Sequence, residues 1–206
     1  VSSRPILDAG PGLNFLALHK ERLLFSAVGP LSAPACVEEE ILRKAQADSR
    51  FEAADRVWRK LPEHLMSVLP DDPTLELERA VERISSLPLD ERYQRRRDLG
   101  ETMVVAHAAV AADRGVRMIV LIDDQWGRRL AAAEQGRLER LRSHGRPVGR
   151  IDLISTTTVL ERAAGSVHLP DRASLRALYQ RLRTLDDGLL PLQTTGLLDL
   201  PAWNRR

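Results

Sequence analysis

Glu101-Thr102-Met103-Val104-Val105-Ala106-His107-Ala108-Ala109-Val110-Ala111-Ala112, stopped by Asp113-Arg114-Gly115 and followed by Val116-Arg117-Met118-Ile119-Val120-Leu121-Ile122, is the stretch that decides the fold class. The first part reads as a helix and the second as a strand whose run 118–122 is entirely apolar. A helix leading into a strand with no polar face predicts a parallel sheet covered on both sides. Asp123-Asp124 follow at once, which puts two carboxylates at the strand's carboxyl end, the edge where α/β sheets collect their sites.

Working outward, Pro5-Ile6-Leu7 reads as a short buried strand ending in Asp8. The Gly10-Pro11-Gly12 turn then breaks the chain before a helix through Leu13, Phe15, Leu16 and Leu18. Ser32-Ala33-Pro34 reads as a helix start, with Val37, Ile41 and Leu42 at helical spacing and Glu40 carried on that helix. Downstream, 128–143 is a helix stopped by Gly145, 151–154 a weaker strand, and 160–164 and 173–185 further helices. The alternation predicts a three-layer α/β/α domain with a central parallel sheet.

Between 44 and 97 the chain is charged and punctuated by Pro62, Pro70, Pro73 and Pro88. Helical pieces are expected over 51–60 and 74–84, the second capped by Thr74. Phe51, Val57, Trp58, Leu61, Leu65, Leu75, Leu77, Val81 and Ile84 are too many apolar residues for a disordered linker, so 44–97 reads as an inserted helical lobe. The expected organisation is a single domain over 1–206, with that insertion and a helical extension over 165–206.

The 206 residues, 43% of them hydrophobic, can supply a sizeable core. A net charge of +2 excludes a generally cationic nucleic-acid binder and leaves any electrostatic footprint to local clusters. Arginine dominates over lysine, which occurs at Lys20, Lys44 and Lys60; genomic composition can produce that bias as well as phosphate recognition can. A single cysteine, Cys36, excludes an intramolecular disulfide framework and a multi-cysteine zinc site. The apolar stretch 103–112 is too short to span a bilayer, and Val1-Ser2-Ser3-Arg4-Pro5 lacks the apolar core of a signal peptide. The expected setting is cytoplasmic, with no membrane partner.

Four segments deliver a carboxylate to a strand end or a helix start: Asp8, Glu40, Glu101 and the pair Asp123-Asp124. Acids from distant segments repel when brought together, and their removal from water is costly, so convergence implies a bound cation. An all-oxygen set suits a hard ion, Mg2+ or Mn2+, and hydrolysis of a phosphate ester.

These blocks resemble the PIN-domain family of metal-dependent ribonucleases, which includes the VapC-type toxins of bacterial toxin-antitoxin pairs. Ile6-Leu7-Asp8-Ala9-Gly10-Pro11 is similar to the family's opening strand and acid, and Ala33-Pro34-Ala35-Cys36-Val37-Glu38-Glu39-Glu40-Ile41 to its acidic helix. Leu99-Gly100-Glu101 with Ala106 resembles the third acid and alanine-rich helix, and Leu121-Ile122-Asp123-Asp124 the last pair. Thr156-Thr157-Thr158-Val159-Leu160-Glu161-Arg162-Ala163 is similar to a threonine-rich turn and helix near the family's end, without the usual glycine. The likeness covers the first fifty residues and roughly 98–190, in family order.

The resemblance implies a PIN-like endoribonuclease with Asp8, Glu40, Glu101 and Asp123 facing one cleft and Asp124 close behind. Asp8 and Asp123 would be direct metal ligands, Glu101 would complete the shell or hold a second ion, and Glu40 and Asp124 would orient water. In-line attack would leave a 5′-phosphate and a 3′-hydroxyl. Register leaves Glu39 as an alternative to Glu40 and Asp98 as an assistant to Glu101, and one ion is not distinguished from two. RNA is the implied substrate and a small antitoxin the implied partner. The insertion could clamp RNA, form a homodimer surface or enlarge the core.

Substrate contacts are expected from Asn14, from the basic cluster Arg92, Arg95, Arg96 and Arg97, from Arg128 and Thr156, and from Trp126 as a stacking platform for unpaired bases. Each has a plain alternative: a surface amide, a solvated helix face paired with Asp90 and Glu91, or a buried aromatic. His19, His64, His107, His144 and His168 show no paired zinc spacing and are expected to be structural. Gly10-Pro11-Gly12 lacks the third glycine and the ribose-binding acid of a dinucleotide loop. An aspartate pair after a strand also resembles a phospho-receiver domain, but no lysine follows it.

Overall fold

A computed structural model describes residues 4–204; Val1-Ser2-Ser3, read above for a leader, lie outside the described residues. The first half of the chain runs β1 (Ile6–Leu7), α1 (Ala9–Ala17), α2 (Glu21–Val28), β2 (Leu31–Pro34), α3 (Ala35–Ala47), α4 (Glu52–Trp58) and β3 (Met66–Leu69). The second runs α5 (Leu75–Ser85), α6 (Leu89–Gln94), α7 (Leu99–Asp113), β4 (Arg117–Leu121), α8 (Gln125–Ser143), β5 (Arg150–Ile154), α9 (Thr156–Ala163) and α10 (Arg172–Leu185). Short 3-10 turns follow α3 and end the described chain.

The five strands form one sheet in the order β3-β2-β1-β4-β5, and every neighbouring pair is parallel. The α/β class and the parallel sheet are therefore as the apolar strand predicts. Right-handed crossovers, the rule for parallel strands, require α1 to α4 on one face and α5 to α8 on the other. The packing agrees: α3 lies on β2 and β3 with α1 and α4 against it, and α7 lies across β1, β2, β4 and β5 with α5 and α8 against it. Because α7 is enclosed by sheet and helices, Met103, Val104, Val105, Ala106, Ala108 and Ala109 are all fully buried around its circumference.

Three local expectations are corrected. Gly10, Pro11 and Gly12 do not form a turn; they are the first turns of α1, which Asp8 precedes directly. Proline is tolerated there because the N–H it lacks has no partner in a first turn. Leu31–Pro34 is a strand rather than a helix start, and α3 begins one residue after Pro34. The region 44–97 is not wholly helical, since Met66–Leu69 pairs with β2 from Leu31↔Met66 to Pro34↔Leu69 and forms an edge of the sheet. With four residues and two prolines nearby, that strand carries too short a pattern to stand out. The Thr74 cap is present, its hydroxyl accepting from Leu77 N–H at 3.2 Å.

Among the described residues no helix is long and apolar enough to cross a membrane. Leu121 is fully buried between the two helical layers, so Leu121→Ala should cost about 2–5 kcal/mol in urea unfolding; a midpoint unchanged from the parent would contradict this packing.

Candidate functional site

The sheet is two residues wide at its centre, and that brevity sets the site. Ile6 pairs with Ser32 on one side and Val120 on the other, Leu7 pairs with Leu121, and Asp8 N–H donates to Leu121 O at 3.0 Å. β1 connects onward to β2 while β4 connects to β5 on the opposite side, so the order reverses between β1 and β4. Asp8 and Asp123 stand on either side of that crevice, beyond the carboxyl ends of the strands.

A cleft of about 1050 Å3 opens there, and Asp8, Glu40, Glu101, Asp123 and Asp124 all line it. Glu40 and Glu101 line the cleft, whereas the exposed Glu39 and the half-buried Asp98 lie outside the lining. Helical phase explains the first: Val37 and Ile41 are buried in the core, and Glu40 shares their side of α3 more closely than Glu39 does. Gly100 brings α7 close. A methyl built on it would sit 3.1 Å from Glu40 Oε2 and 3.6 Å from Asp8 Oδ1, so the two carboxylates meet over a bare backbone. Gly127 does the same for α8, where a methyl would fall 3.0 Å from Glu101 Cγ.

Asp8 is 3% exposed, and burial holds its carboxyl well above the usual range. Repulsion from Glu101 and then Glu40 adds to this, while the N–H groups of Ala9 and Gly10 partly offset it. Glu101 is raised by burial and by Glu40, Asp124 and Asp98. Asp123 is raised by burial too, against two hydrogen bonds from Thr156, whose N–H and hydroxyl donate to Oδ1 and Oδ2 at 2.9 and 2.5 Å. Glu40 differs, because Lys44 Nζ pairs with it at 2.6 Å. Asp124 caps α8, its Oδ1 accepting from Trp126 and Gly127 N–H at 2.7 and 3.1 Å.

The expected substrate contacts divide. Asn14 and Arg128 line the cleft. Asn14 is 2% exposed and donates to Asp186 Oδ2 at 3.0 Å, and Arg128 draws the Asp123 carboxyl downward. Thr156 is fully buried and occupied by Asp123, so it positions that acid and cannot touch a substrate. Trp126, 47% exposed, stands outside the lining, as do the exposed Arg95, Arg96 and Arg97. Arg92 leaves the basic cluster altogether and is 5% exposed. Trp58 is core and donates to Glu38 Oε1 at 2.6 Å.

Sequence reasoning missed the opposite wall. Asp48, Arg50, Asp186 and Asp187 line the cleft together with the apolar Leu13, Phe51, Leu185, Leu189 and Leu190. An Asp-Asp-Gly following a helix was the available signal for the second pair. His107 is structural as expected: its Nε2 lies 2.7 Å from Asp71 Oδ1, and Asp71 Oδ2 accepts from Cys36 N–H at 2.8 Å. Burial pushes the Cys36 thiol far up, and Asp71 adds to that, so the thiol is unreactive.

By kind, this oxygen-only donor set fits a hard divalent cation: among the described residues no ion pair neutralises Asp8, Glu101 or Asp123. By spacing, no group of three or more His, Cys, Asp or Glu among the described residues is placed to hold a metal ion. Compared with protein-family models, curated proteins and solved structures, the chain matches none.

A carboxyl whose folded pKa is raised stabilises fully below its unfolded value, and that contribution is lost as pH rises through the folded value. Asp8→Asn removes the loss. The variant should melt at a higher temperature than the parent at about pH 7, with the difference narrowing towards about pH 4; an equal or lower melting temperature at neutrality would refute the assignment.

Proposed function

We propose that the chain is a PIN-like, Mg2+- or Mn2+-dependent endoribonuclease that hydrolyses RNA phosphodiester bonds, acting as the toxin of a toxin-antitoxin pair. The observation that carries this reading is the burial of Asp8 beside Glu101 and Glu40, in a cleft that Asp123 and Asp124 also line. Holding these charges together costs folding energy, and a divalent ion is the counter-charge that would repay it. When bound, the ion would supply an acidified water and neutralise the phosphate.

Asp8 and Asp123 would hold the ion, with Thr156 fixing the Asp123 carboxylate so that both oxygens keep their orientation. Glu101 would complete the set. Glu40 would orient the attacking water, and the free oxygen of Asp124 would assist while its other oxygen caps α8. The Asn14 amide, tied to Asp186, would fix the wall opposite Glu101. A small antitoxin that covers the acidic cleft is the partner this reading implies.

A catalytically silent module that binds RNA or protein is the second reading. The spacing of the acids favours it, as do the Lys44 pairing of Glu40 and the cap role of Asp124.

The two readings separate with purified protein and single-stranded RNA in Mg2+, Mn2+ or chelator. The nuclease reading expects cation-dependent cleavage that falls at least about 100-fold in Asp8→Asn and Asp123→Asn with unchanged circular dichroism. Saturating Mn2+, at about 100-fold above its Kd, should also stabilise the parent by about 2.7 kcal/mol, and Asp8→Asn far less. Cleavage surviving in both variants would mark a contaminant and overturn the assignment.

A further inference from the structure

Arg92 is buried, and among the described residues no carboxylate is hydrogen-bonded to its guanidinium. It donates from Nη1 to Arg95 O at 2.5 Å, from Nη2 to Arg97 O at 2.7 Å and from Nε to Thr102 Oγ1 at 3.2 Å. Arg96 O accepts from Leu99 N–H at 3.3 Å, so all three carbonyls of 95–97 are bonded. The Thr102 hydroxyl in turn donates to Asp98 O at 2.8 Å, and Asp98 takes a left-handed backbone with φ of 56°. A buried, always-charged side chain is costly, and burial works against its charge. Here it serves to hold one turn of main chain in a single shape.

The shape presents three consecutive arginine side chains to solvent. Arg95 and Arg96 form no ion pair among the described residues, and Arg97 reaches Asp98 at 3.6 Å with its side chain 93% exposed. Three residues later, Gly100 abuts the carboxylates of Glu40 and Asp8. Steps of about 3.8 Å per residue cap the separation of the Arg97 and Gly100 Cα atoms at about 11 Å. Like charges crowded on a pre-formed turn repel one another, and a polyanion lying across them relieves that repulsion. Guanidinium forks suit phosphate oxygens in particular.

We propose that the turn 95–97, pre-shaped by Arg92, is a nucleic-acid backbone clamp that holds single-stranded RNA on the Glu101 side of the cleft. The clamp deepens the ribonuclease reading and rests on it for the identity of the polyanion. Arg92 is a positioning residue; Arg95, Arg96 and Arg97 make the contacts. The contacts are to phosphates, so they add affinity without base preference.

The test measures binding of a fluorescent single-stranded RNA oligonucleotide of mixed sequence to the full chain in chelator, where no cleavage occurs, across a range of KCl. Removing three phosphate contacts in the triple variant Arg95→Gln, Arg96→Gln, Arg97→Gln should lower the slope of log K against log salt by about 2. Affinity at low salt should fall at least about tenfold, equally for different sequences. Arg92→Lys keeps the charge but cannot bridge two carbonyls and Thr102, so it should reproduce part of that loss with an unchanged circular dichroism spectrum. If Arg92→Lys does not fold, the triple variant decides alone, since its side chains are exposed.

An unchanged slope and affinity in the triple variant would overturn the clamp, and so would a parent that does not bind RNA. Binding that depends on 95–97 without cleavage in Mg2+ or Mn2+ would uphold the clamp while the nuclease reading fails. Loss of binding to an acidic protein partner, with RNA binding intact, would replace the proposal with a protein docking site.

Discussion

Ile6 pairs with strands on both sides and Leu7 with β4 alone, and the rest of the molecule is arranged around that constraint. A two-residue strand has too few hydrogen bonds to persist alone, so it exists because β2 and β4 template it from either flank and the core seals both faces. Its shortness has a chemical consequence. Asp8 follows before the chain can leave the interior, and its carboxylate is buried at the sheet's edge rather than lifted into solvent. The acids of α3, α7 and the β4 end then approach from three directions, and Gly100 and Gly127 let the helices come close enough.

Such a cluster opposes folding, and the chain offsets the cost locally. The helices α1, α8 and α9 begin at the cleft, next to Asp8, Asp124 and Ser155, and α7 begins just before Glu101. Their amino ends carry partial positive charge that favours nearby carboxylates by a fraction of a kcal/mol up to about 1 kcal/mol each. Direct hydrogen bonds do more at Asp123, which accepts two from Thr156, while the N–H groups of Ala9 and Gly10 lower the Asp8 carboxyl. These donors reduce the penalty without cancelling it, since the carboxyls of Asp8, Glu101 and Asp123 all remain raised. Marginal stability of a few kcal/mol leaves little room for such strain, so clusters of this kind persist where something else depends on them.

What was legible in the sequence follows from how much each element depends on its own residues. The run 118–122 is apolar throughout and α7 is apolar along most of its length, and most of both is buried, so their character is visible without neighbours. β2 and β3 are different. Leu31-Ser32-Ala33-Pro34 and Met66-Ser67-Val68-Leu69 have no distinctive period, and their strand state comes from register with partners more than twenty residues away. The acids at strand ends were readable because they follow apolar runs. Asp186 was not, because its place in the cleft depends on α10 docking so that Asn14, 172 positions earlier, can donate to it. Thr156 was singled out through the likeness of 156–163 to a threonine-rich turn and expected to touch substrate, yet its burial makes it the support of Asp123.

The sign of the cleft sets its remaining requirement. A floor of carboxylates repels any phosphate-bearing chain, and the cations at its rim are partly committed, Lys44 to Glu40 and Arg50 to Asp48 at 2.7 Å. Arginines beyond the repulsion can bind the flanking backbone of an anionic chain without an ion, and a divalent ion on the floor would be the second favourable charge, for the part of the chain that lies at the acids. Placing the arginines outside the cleft has a physical advantage. Arginines beside Asp8 would pair with it and leave both groups neutralised, whereas Arg95–Arg97, held apart on a turn that Arg92 shapes, keep their charge available. At an ionic strength of about 0.1 M the field of the floor is screened over roughly 10 Å, about the distance that the chain allows between Gly100 and Arg97. That ceiling on the separation keeps the arginines near enough to the acids for one extended polyanion to reach both.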